Sequence, residues 1–537
     1  MTFSKNPLLL SIISGVMLAL SWPVQGLSLL VFFGLIPLFF LEDHIAKSLH
    51  KRKKLKLFFF SFLGFFIWNL GTTWWIVNSS VFGMVFAIVC NTSFYAILVL
   101  LFHWSKKRLP LRTAYIFLTT LWIAFEKFHL EWDFSWPWLN LGNVFSEDIL
   151  WIQWYEYTGS FGGSLWVLII NIGIYEVLKN HKPSFANTSW LKKLTPWLIG
   201  IAFPIVISLI IFQKEKLPTP STEALLFQPN IDPYFEKYDH NSSYYFELMA
   251  QMTKPQITDQ THYIFTPETY FGSGIGTSLK DFKSTSLYYK IDSLLQLHPQ
   301  IQLITGIQSY DVYNTKTPPT TTANLYSEGI WIDYYNSALK MEHGEKPEFY
   351  HKSKLVVGVE NMPYKSFFRP LLGEFLLDLG GTVSSRAIQD YRTVFEHKQI
   401  NLKTGPIICY ESIYGEFVTE YVRKGAQFLA IITNDAWWGN TAGHKQLLSY
   451  ARLRAIENRR SVVRSANTGI SAIINSKGEI TKKLGYNTRG VLKVQFAPKD
   501  KITFYTKYGD YIARWSGFIA VLFFLIAVSG RLKKSRI

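Results

Sequence analysis

"KTGPIICYES", residues Lys403 to Ser412, runs through two isoleucines, delivers a cysteine, and turns polar at once. A short apolar run bounded by turn residues reads as a buried strand. It ends at Cys409, followed by Tyr410 and Glu411. The 537 residues hold only one other cysteine, Cys90, inside a hydrophobic stretch. Cys90 reads as a small core residue; Cys409 stands at a strand end, where neighbouring strands share a rim.

Working outward, the surroundings of this strand are those of a membrane protein. Aromatic residues make up 17% of the chain and charged residues only 17%. Seven apolar runs precede Phe212: Pro7–Pro23, Leu27–Leu41, Leu57–Val77, Val81–Trp104, Thr113–His129, Phe161–Leu178 and Thr195–Phe212. An eighth, Trp515–Gly530, follows the long, less apolar segment after Phe212. A crossing helix needs about 20 apolar residues, so eight transmembrane helices are expected. The first run resembles a signal peptide in position alone; with no convincing small-residue cleavage site it reads as a retained helix.

The formal charge of +17 is a topology signal. Basic residues cluster in alternate loops: Lys47 to Lys56, Lys106 to Arg112, Lys179 to Lys193, and the tail from Arg531 to Arg536. The intervening loops are short, uncharged or acidic. The positive-inside rule then puts both termini in the cytoplasm, and it accounts for the charge without nucleic acid. An odd number of crossings places Gln213–Arg514 outside the cytoplasmic membrane, in a compartment that oxidises thiols. Cys409 is the one cysteine of that segment, so it has no intramolecular disulfide partner there.

The expected domains are a seven-helix membrane domain over 1–213, an extracytoplasmic domain over 214–512, and an eighth helix with a cytoplasmic tail over 513–537. In the middle domain, "EALLFQPN", "HYIFTPET", "IQLITGIQSY", "NLYSEGIWID", "AQFLAIITND", "RSVVRSANTG" and "ISAIINSKGEI" read as further strands. Helices are expected over Ser243–Met252, Lys280–Leu297, Gly415–Lys424 and His444–Asn458. Interspersed strands and helices imply a layered α/β domain. Two more strand ends turn polar: "YIFTPET" delivers Glu268, and "FYHKSKLV" sets Lys352 among apolar neighbours. A thiol needs a base to become a nucleophile, and a neighbouring cation favours thiolate and oxyanion alike. Strand-end Glu and Lys residues are ordinarily solvated or paired, so spacing alone does not make them catalytic.

Together "TPET", "YHKSKLV", "CYES" and "TNDAWWGN…AGHKQLLSYARLRAIENRRSVVRSANTGISAII" resemble the nitrilase, or carbon–nitrogen hydrolase, superfamily. The resemblance implies an αββα sandwich carrying a Glu–Lys–Cys triad: Glu268 as general base, Lys352 as oxyanion stabiliser, Cys409 as nucleophile. It further implies supporting roles for Glu360, Tyr410, Glu411 and Trp437. The superfamily's proline–phenylalanine–glycine before the second glutamate reads Val357-Gly358-Val359 here. The membrane helices, "FSWPWLNLGN" (Phe134–Asn143) and "YTKYGD" (Tyr505–Asp510) are similar to a membrane-embedded acyltransferase branch of the superfamily.

That branch implies acyl transfer in an inner membrane, crossed many times, with the catalytic domain periplasmic. A phospholipid donates the acyl chain, and the α-amine of an N-terminal diacylglyceryl-cysteine of a lipoprotein accepts it. No cofactor and no metal is implied, and His444 reads as a packing residue. The apolar stretch Ser366–Gly381, with Phe375, Leu376 and Gly380, reads as a candidate lid, or as an oligomer interface. Two other readings stay open: hydrolysis of a small amide by the same triad, and a non-enzymatic envelope scaffold.

Overall fold

The computed structural model describes residues 6–24, 26–49, 51–181, 189–233, 236–237, 239–272, 274–361, 364 and 386–530. Two compact units emerge: Met1–Val77, Gly83–Lys214 and Tyr508–Ile537 form the first, and Asn78–Phe82 with Glu215–Lys507 the second.

The first unit is helical. Six helical segments among the described residues are long and apolar enough to cross a membrane: Ser28–Lys47, Lys53–Asn78, Val81–Ser105, Ser160–Asn180, Trp190–Lys214 and Tyr511–Ser529. Helices occupy the other two expected positions without meeting that measure. Pro7–Leu20 has only 14 residues; Leu111–Glu131 has 21 but carries Arg112, Glu126, Lys127 and Glu131. Pro7–Leu20 and Lys53–Thr73 cross where both backbones lack side chains. A Cβ on Gly15 would lie 2.3 Å from the Gly64 carbonyl, and one on Gly64 3.0 Å from that of Ser11. Small residues at such crossings let helices pack by close backbone approach.

The Ser28–Lys47 segment is not one continuous helix. It runs as a 3-10 turn Ser28–Leu30, a short helix Val31–Gly34, and a helix Ile36–Lys47 with Pro37 in its first turn. Proline has no N–H to donate and is best tolerated in the first turn of a helix. Buried Asn171 spans the break: its Oδ1 accepts from Leu35 N at 2.9 Å, and its Nδ2 donates to Val31 O at 2.8 Å. Several expected loop cations are also tied down: Lys106 Nζ bonds Glu42 Oε2 at 2.5 Å and Asp43 Oδ1 at 2.6 Å, and Lys179 Nζ lies 2.9 Å from Asp43 Oδ2.

The second unit contains two sheets. Its strands are β1 Thr222–Gln228, β2 Thr261–Phe265, β3 Thr277–Ser278, β4 Gln302–Asn314, β5 Asn324–Ser327, β6 Ile330–Met341 and β7 Glu348–His351. They continue with β8 Phe395–His397, β9 Leu402–Ile408, β10 Phe428–Thr433, β11 Val462–Ala466, β12 Ser471–Ile474, β13 Ile480–Leu484 and β14 Gly490–Phe496. One sheet has the order β14-β1-β2-β4-β6-β5, with β3 beside β4 and β7 beside β6; the other runs β13-β12-β11-β10-β9-β8.

Period-2 alternation divides each strand between two faces. Tyr263 and Phe265 of β2 meet Phe428 of β10, which also packs on Phe496 of β14, so the sheets are face to face. On the opposite face, Leu225, Phe227 and Ile264 share a core with Tyr245, Met249, Ile291 and Leu295 from helices Ser242–Thr253 and Ser286–Leu297. Helices Gly415–Arg423 and Ala442–Asn458 cover the second sheet. This is the αββα sandwich that the resemblance implies.

Two expected strands are instead corners. "NLYSEGIWID" folds back at Gly329 (φ 74) into the β5–β6 hairpin, and "ISAIINSKGEI" turns at Gly478 (φ 86) between β12 and β13. Only a residue free of Cβ adopts these conformations readily. The helix expected over Lys280–Leu297 begins only at Ser286, because the Thr285 side chain accepts from Tyr288 N and caps it there.

Replacing Asn171 by leucine tests the broken helix. It removes the side-chain partner of both Leu35 N–H and Val31 C=O in an apolar interior, at about 1–3 kcal/mol in all. The expected outcome is a clearly lowered thermal midpoint in detergent, while Asn171→Gln loses less.

Candidate active site

Glu268, Lys352 and Cys409 leave three different strands. β9 lies parallel to β10 with Ile408 opposite Ile432, so Cys409 emerges beside Thr433, the last residue of β10. β7 lies antiparallel to β6 with His351 opposite Ser337, and Lys352 N donates to Asn336 O at 2.8 Å. Glu268 follows β2 through Thr266 and Pro267. That loop crosses β4 at Gly306, where an added Cβ would lie 2.3 Å from Pro267 O and 2.6 Å from Glu268 Cα. Only glycine admits so close a backbone, and Gly306 N donates to Pro267 O at 3.2 Å.

Lys352 is fully buried between two carboxylates. Its Nζ donates to Glu268 Oε1 at 2.9 Å and lies 2.7 Å from Glu360 Oε2. Asn336 Nδ2 bridges the same pair, donating to Glu268 Oε1 at 2.8 Å and Glu360 Oε1 at 2.9 Å. Asn434 N donates to Glu268 Oε2 at 3.1 Å, and Val356 N to Glu360 Oε2 at 2.9 Å. Burial by itself pulls Lys352 down, but the charges of Glu268, Glu360 and Cys409 outweigh it and hold the ammonium well above its usual range. Burial pushes the Glu360 carboxyl up; Lys352 and Arg386 reverse the direction and hold it low. The lysine is a fixed cation.

Cys409 adopts φ 51, in the left-handed region that a residue with a Cβ rarely visits. The following 3-10 turn, Cys409–Ile413, is held by Ser412 Oγ donating to Cys409 O at 2.7 Å. Burial first, then the Glu268 charge, raise the thiol well above its usual pKa; Lys352 and Thr433 work in the other direction. Such a thiol stays protonated at neutral pH and needs a base at the moment of attack.

Glu411 joins the cysteine turn to the lysine strand. Its Oε2 accepts from Ile408 N at 2.8 Å; its Oε1 accepts from Tyr350 Oη at 2.6 Å and Ser353 N at 2.7 Å. Tyr350 and Ser353 flank Lys352, which explains physically why a tyrosine precedes the lysine by two. Tyr410 is buried with its ring edge-on to Tyr414 at 5.4 Å. Trp437 occupies a 3-10 turn, Asp435–Trp438, and its carbonyl accepts from Ser79 Oγ at 3.0 Å. Val357-Gly358-Val359 forms a tight bend with Gly358 at φ 80, and Gly358 N donates to Asn361 O at 2.8 Å. Phe375, Leu376 and Gly380 of the candidate lid lie outside the described residues. His444 is buried and tilted against Tyr486 at 4.5 Å. Cys90 is half-buried. No group of His, Cys, Asp and Glu fit to hold a metal occurs among the described residues.

Sequence reading missed Asn336, Thr433, Asn434 and Gly306. Asn434 carried a signal, as the first polar residue after the buried "FLAIIT" strand. Asn336 and Gly306 lie inside strands, and only the sheet register brings them here.

Residues 14–173 match the family described as apolipoprotein N-acyltransferase N-terminal domain, and residues 307–501 the carbon-nitrogen hydrolase family. The chain is 28% identical to the apolipoprotein N-acyltransferase of Chlorobaculum tepidum, over 98% of each chain. With that of Thermotoga maritima it shares 24% identity, over 97% of this chain and 93% of the relative. A similar solved structure is a Nesterenkonia amidase of the nitrilase superfamily, at 15% identity and TM-score 0.36, covering 56% of this chain and all of that one.

Two measurements test the geometry. Glu411→Gln retains acceptors for Tyr350 and Ser353 but leaves Ile408 N–H without its carboxylate; the expected result is at least about a ten-fold loss in the rate of Cys409 modification, with the fold intact by circular dichroism. In the second, iodoacetamide alkylation of Cys409 should climb through the alkaline range without levelling near neutrality. Lys352→Met should move the rise further alkaline, since it removes the charge that favours thiolate.

Proposed function

We propose that this chain, which belongs with the apolipoprotein N-acyltransferases, transfers acyl groups through a thioester on Cys409. The enzyme is a membrane acyltransferase that modifies lipoproteins. The arrangement that carries the mechanism is Lys352 held between Glu268 and Glu360, with a protonated thiol on a strained turn beside them.

In the first half-reaction Glu268 takes the proton from Cys409 Sγ as sulfur attacks the sn-1 ester carbonyl of a phospholipid. The tetrahedral oxyanion is stabilised by Lys352, whose charge is fixed before the reaction begins. Collapse breaks the ester C–O bond, and Glu268 returns the proton to the leaving lysophospholipid oxygen. In the second half-reaction the α-amine of a diacylglyceryl-cysteine attacks the thioester. Glu268 takes the amine's proton, the C–S bond breaks, and the thiolate is reprotonated. A thiol serves both halves because it attacks well and leaves well.

Glu360 and Asn336 keep Glu268 and Lys352 in register; Glu411 does the same for Cys409 and Lys352. Tyr410 and Trp437 belong to the turns bordering the nucleophile and are assigned to substrate contact. Eight crossings, cytoplasmic termini and a periplasmic catalytic domain remain the topology that fits the basic loops. In this reading the stretch around Phe375, Leu376 and Gly380 is the lid over the acyl chain.

Intact mass tests the reading. Wild-type protein incubated with phospholipid should gain one acyl chain, and a diacylglyceryl-cysteine peptide should discharge it. Cys409→Ala should gain none, and Glu268→Gln should acylate about 10²–10⁴-fold more slowly. An adduct cleared only by water identifies a hydrolase instead.

A further inference from the structure

Thr433 stands beside the nucleophile, and its single hydroxyl proton is already given away. Cys409 continues β9 one residue past the pairing of Ile408 with Ile432, which brings it level with Thr433 at the end of β10. The two side chains are hydrogen-bond partners. Thr433 Oγ1 donates to Asp435 Oδ1 at 2.7 Å. Asp435 Oδ2 accepts from Arg464 Nη2 at 2.7 Å, and both side chains are fully buried. Arg464 Nη1 is fixed in turn by the Ile470 carbonyl at 2.6 Å. A Cβ on Gly469 would lie 2.1 Å from Asp435 Oδ2, so the carboxylate fills a place that only glycine leaves open.

The direction of these bonds decides what the sulfur meets. A hydroxyl has one donor and two acceptor lone pairs, whereas a carboxylate paired with arginine only accepts. The Thr433 proton therefore lies on the Asp435 side, and lone pairs face Cys409. A hydroxyl that donates to sulfur favours thiolate, and Thr433 taken with Cys409 alone works in that direction. With its proton on Asp435, the same hydroxyl accepts from the thiol and has nothing to offer a thiolate. The charged groups acting on the sulfur are Glu268, Lys352 and Asp435. Asp435 is paired with Arg464, and its charge also reaches His444 and Tyr486.

We propose that Asp435, held by Arg464, is a positioning residue that sets the polarity of Thr433, so that Cys409 rests as a thiol donating to Thr433 and is ionised only by Glu268. The inference deepens the acyl-transfer reading by naming what holds the nucleophile in reserve between substrates. It also gives the pair a role beyond packing: with asparagine at 435, Arg464 still binds the amide oxygen, the amide N–H₂ donates to Thr433, and the hydroxyl proton turns to the sulfur.

The test is the pH profile of iodoacetamide alkylation, read on the Cys409 peptide of full-length protein in detergent. It reports the thiol whether or not phospholipid acylates it, so loss of the acyl-transfer reading shows separately, as a wild type that gains no acyl chain. Asp435→Asn should move the rise acid by about one pH unit or more, the scale of one hydrogen bond to a charged group. The shift should largely vanish when Thr433 is valine, because the effect passes through the hydroxyl. Thr433→Val alone leaves the Asp435–Arg464 pair in place and carries the test if the asparagine variant does not fold. It should also move the rise acid, since the thiol loses its acceptor, while Thr433→Ser should keep the wild-type profile. Adding Lys352→Met to Thr433→Val should return the rise toward alkaline pH, a response that an unfolded chain cannot give. An alkaline shift or none in Thr433→Val overturns the proposal, as does an Asp435→Asn shift of equal size with valine at 433, which is a field effect alone, or an acid shift that ignores Lys352.

Discussion

The Glu411 carboxylate, buried and accepting three hydrogen bonds, is the constraint on which the centre depends. Cys409 follows a strand of one sheet and Lys352 a strand of the other, and sheet-on-sheet packing alone tolerates small slides. Glu411 removes that freedom by accepting from Ile408 N, just before Cys409, and from Tyr350 and Ser353, on both sides of Lys352. A buried carboxylate is costly unless its oxygens are satisfied by donors. The same requirement that satisfies the oxygens of Glu411 therefore ties the two strand ends together.

Electrostatics then divide the labour. Lys352 lies between two carboxylates and stays charged, while Cys409 stays protonated because it is buried and near Glu268. A thiolate at rest would be open to oxidation and adventitious modification. Under the proposed periplasmic placement, a thiol that ionises only under attack is protected from the oxidants of that compartment. In the proposed mechanism this arrangement puts positive charge where the oxyanion forms while the resting thiol stays neutral.

The helical unit obeys a different constraint. With no water to satisfy a broken helix, each interruption needs an internal partner. Asn171 supplies both a donor and an acceptor to the break before Pro37. Glu126 holds the turn after "WPWLN" by accepting alone, from Leu141 N at 2.8 Å and Ser164 Oγ at 2.6 Å. Irregular backbone at these places is held by single polar side chains buried in an apolar surround.

Much was legible in the sequence because it rests on local patterns. Apolar runs near 20 residues mark membrane helices, short buried runs mark strands, and the polar residues ending "YIFTP", "FYH" and "PII" mark Glu268, Lys352 and Cys409. The helix count was less legible: a charged helix such as Leu111–Glu131 is identified by its neighbours, and a short one such as Pro7–Leu20 by its packing. Asn336 and Gly306 have no local signature. Their importance comes from register and from a backbone crossing. The sequence alone determined which residue types stand at the strand ends, because burial and turn chemistry act over a few residues. Only the tertiary structure decided which of those ends meet and which charges they feel, because sheet pairing and electrostatic fields act between segments that the chain keeps a hundred or more residues apart.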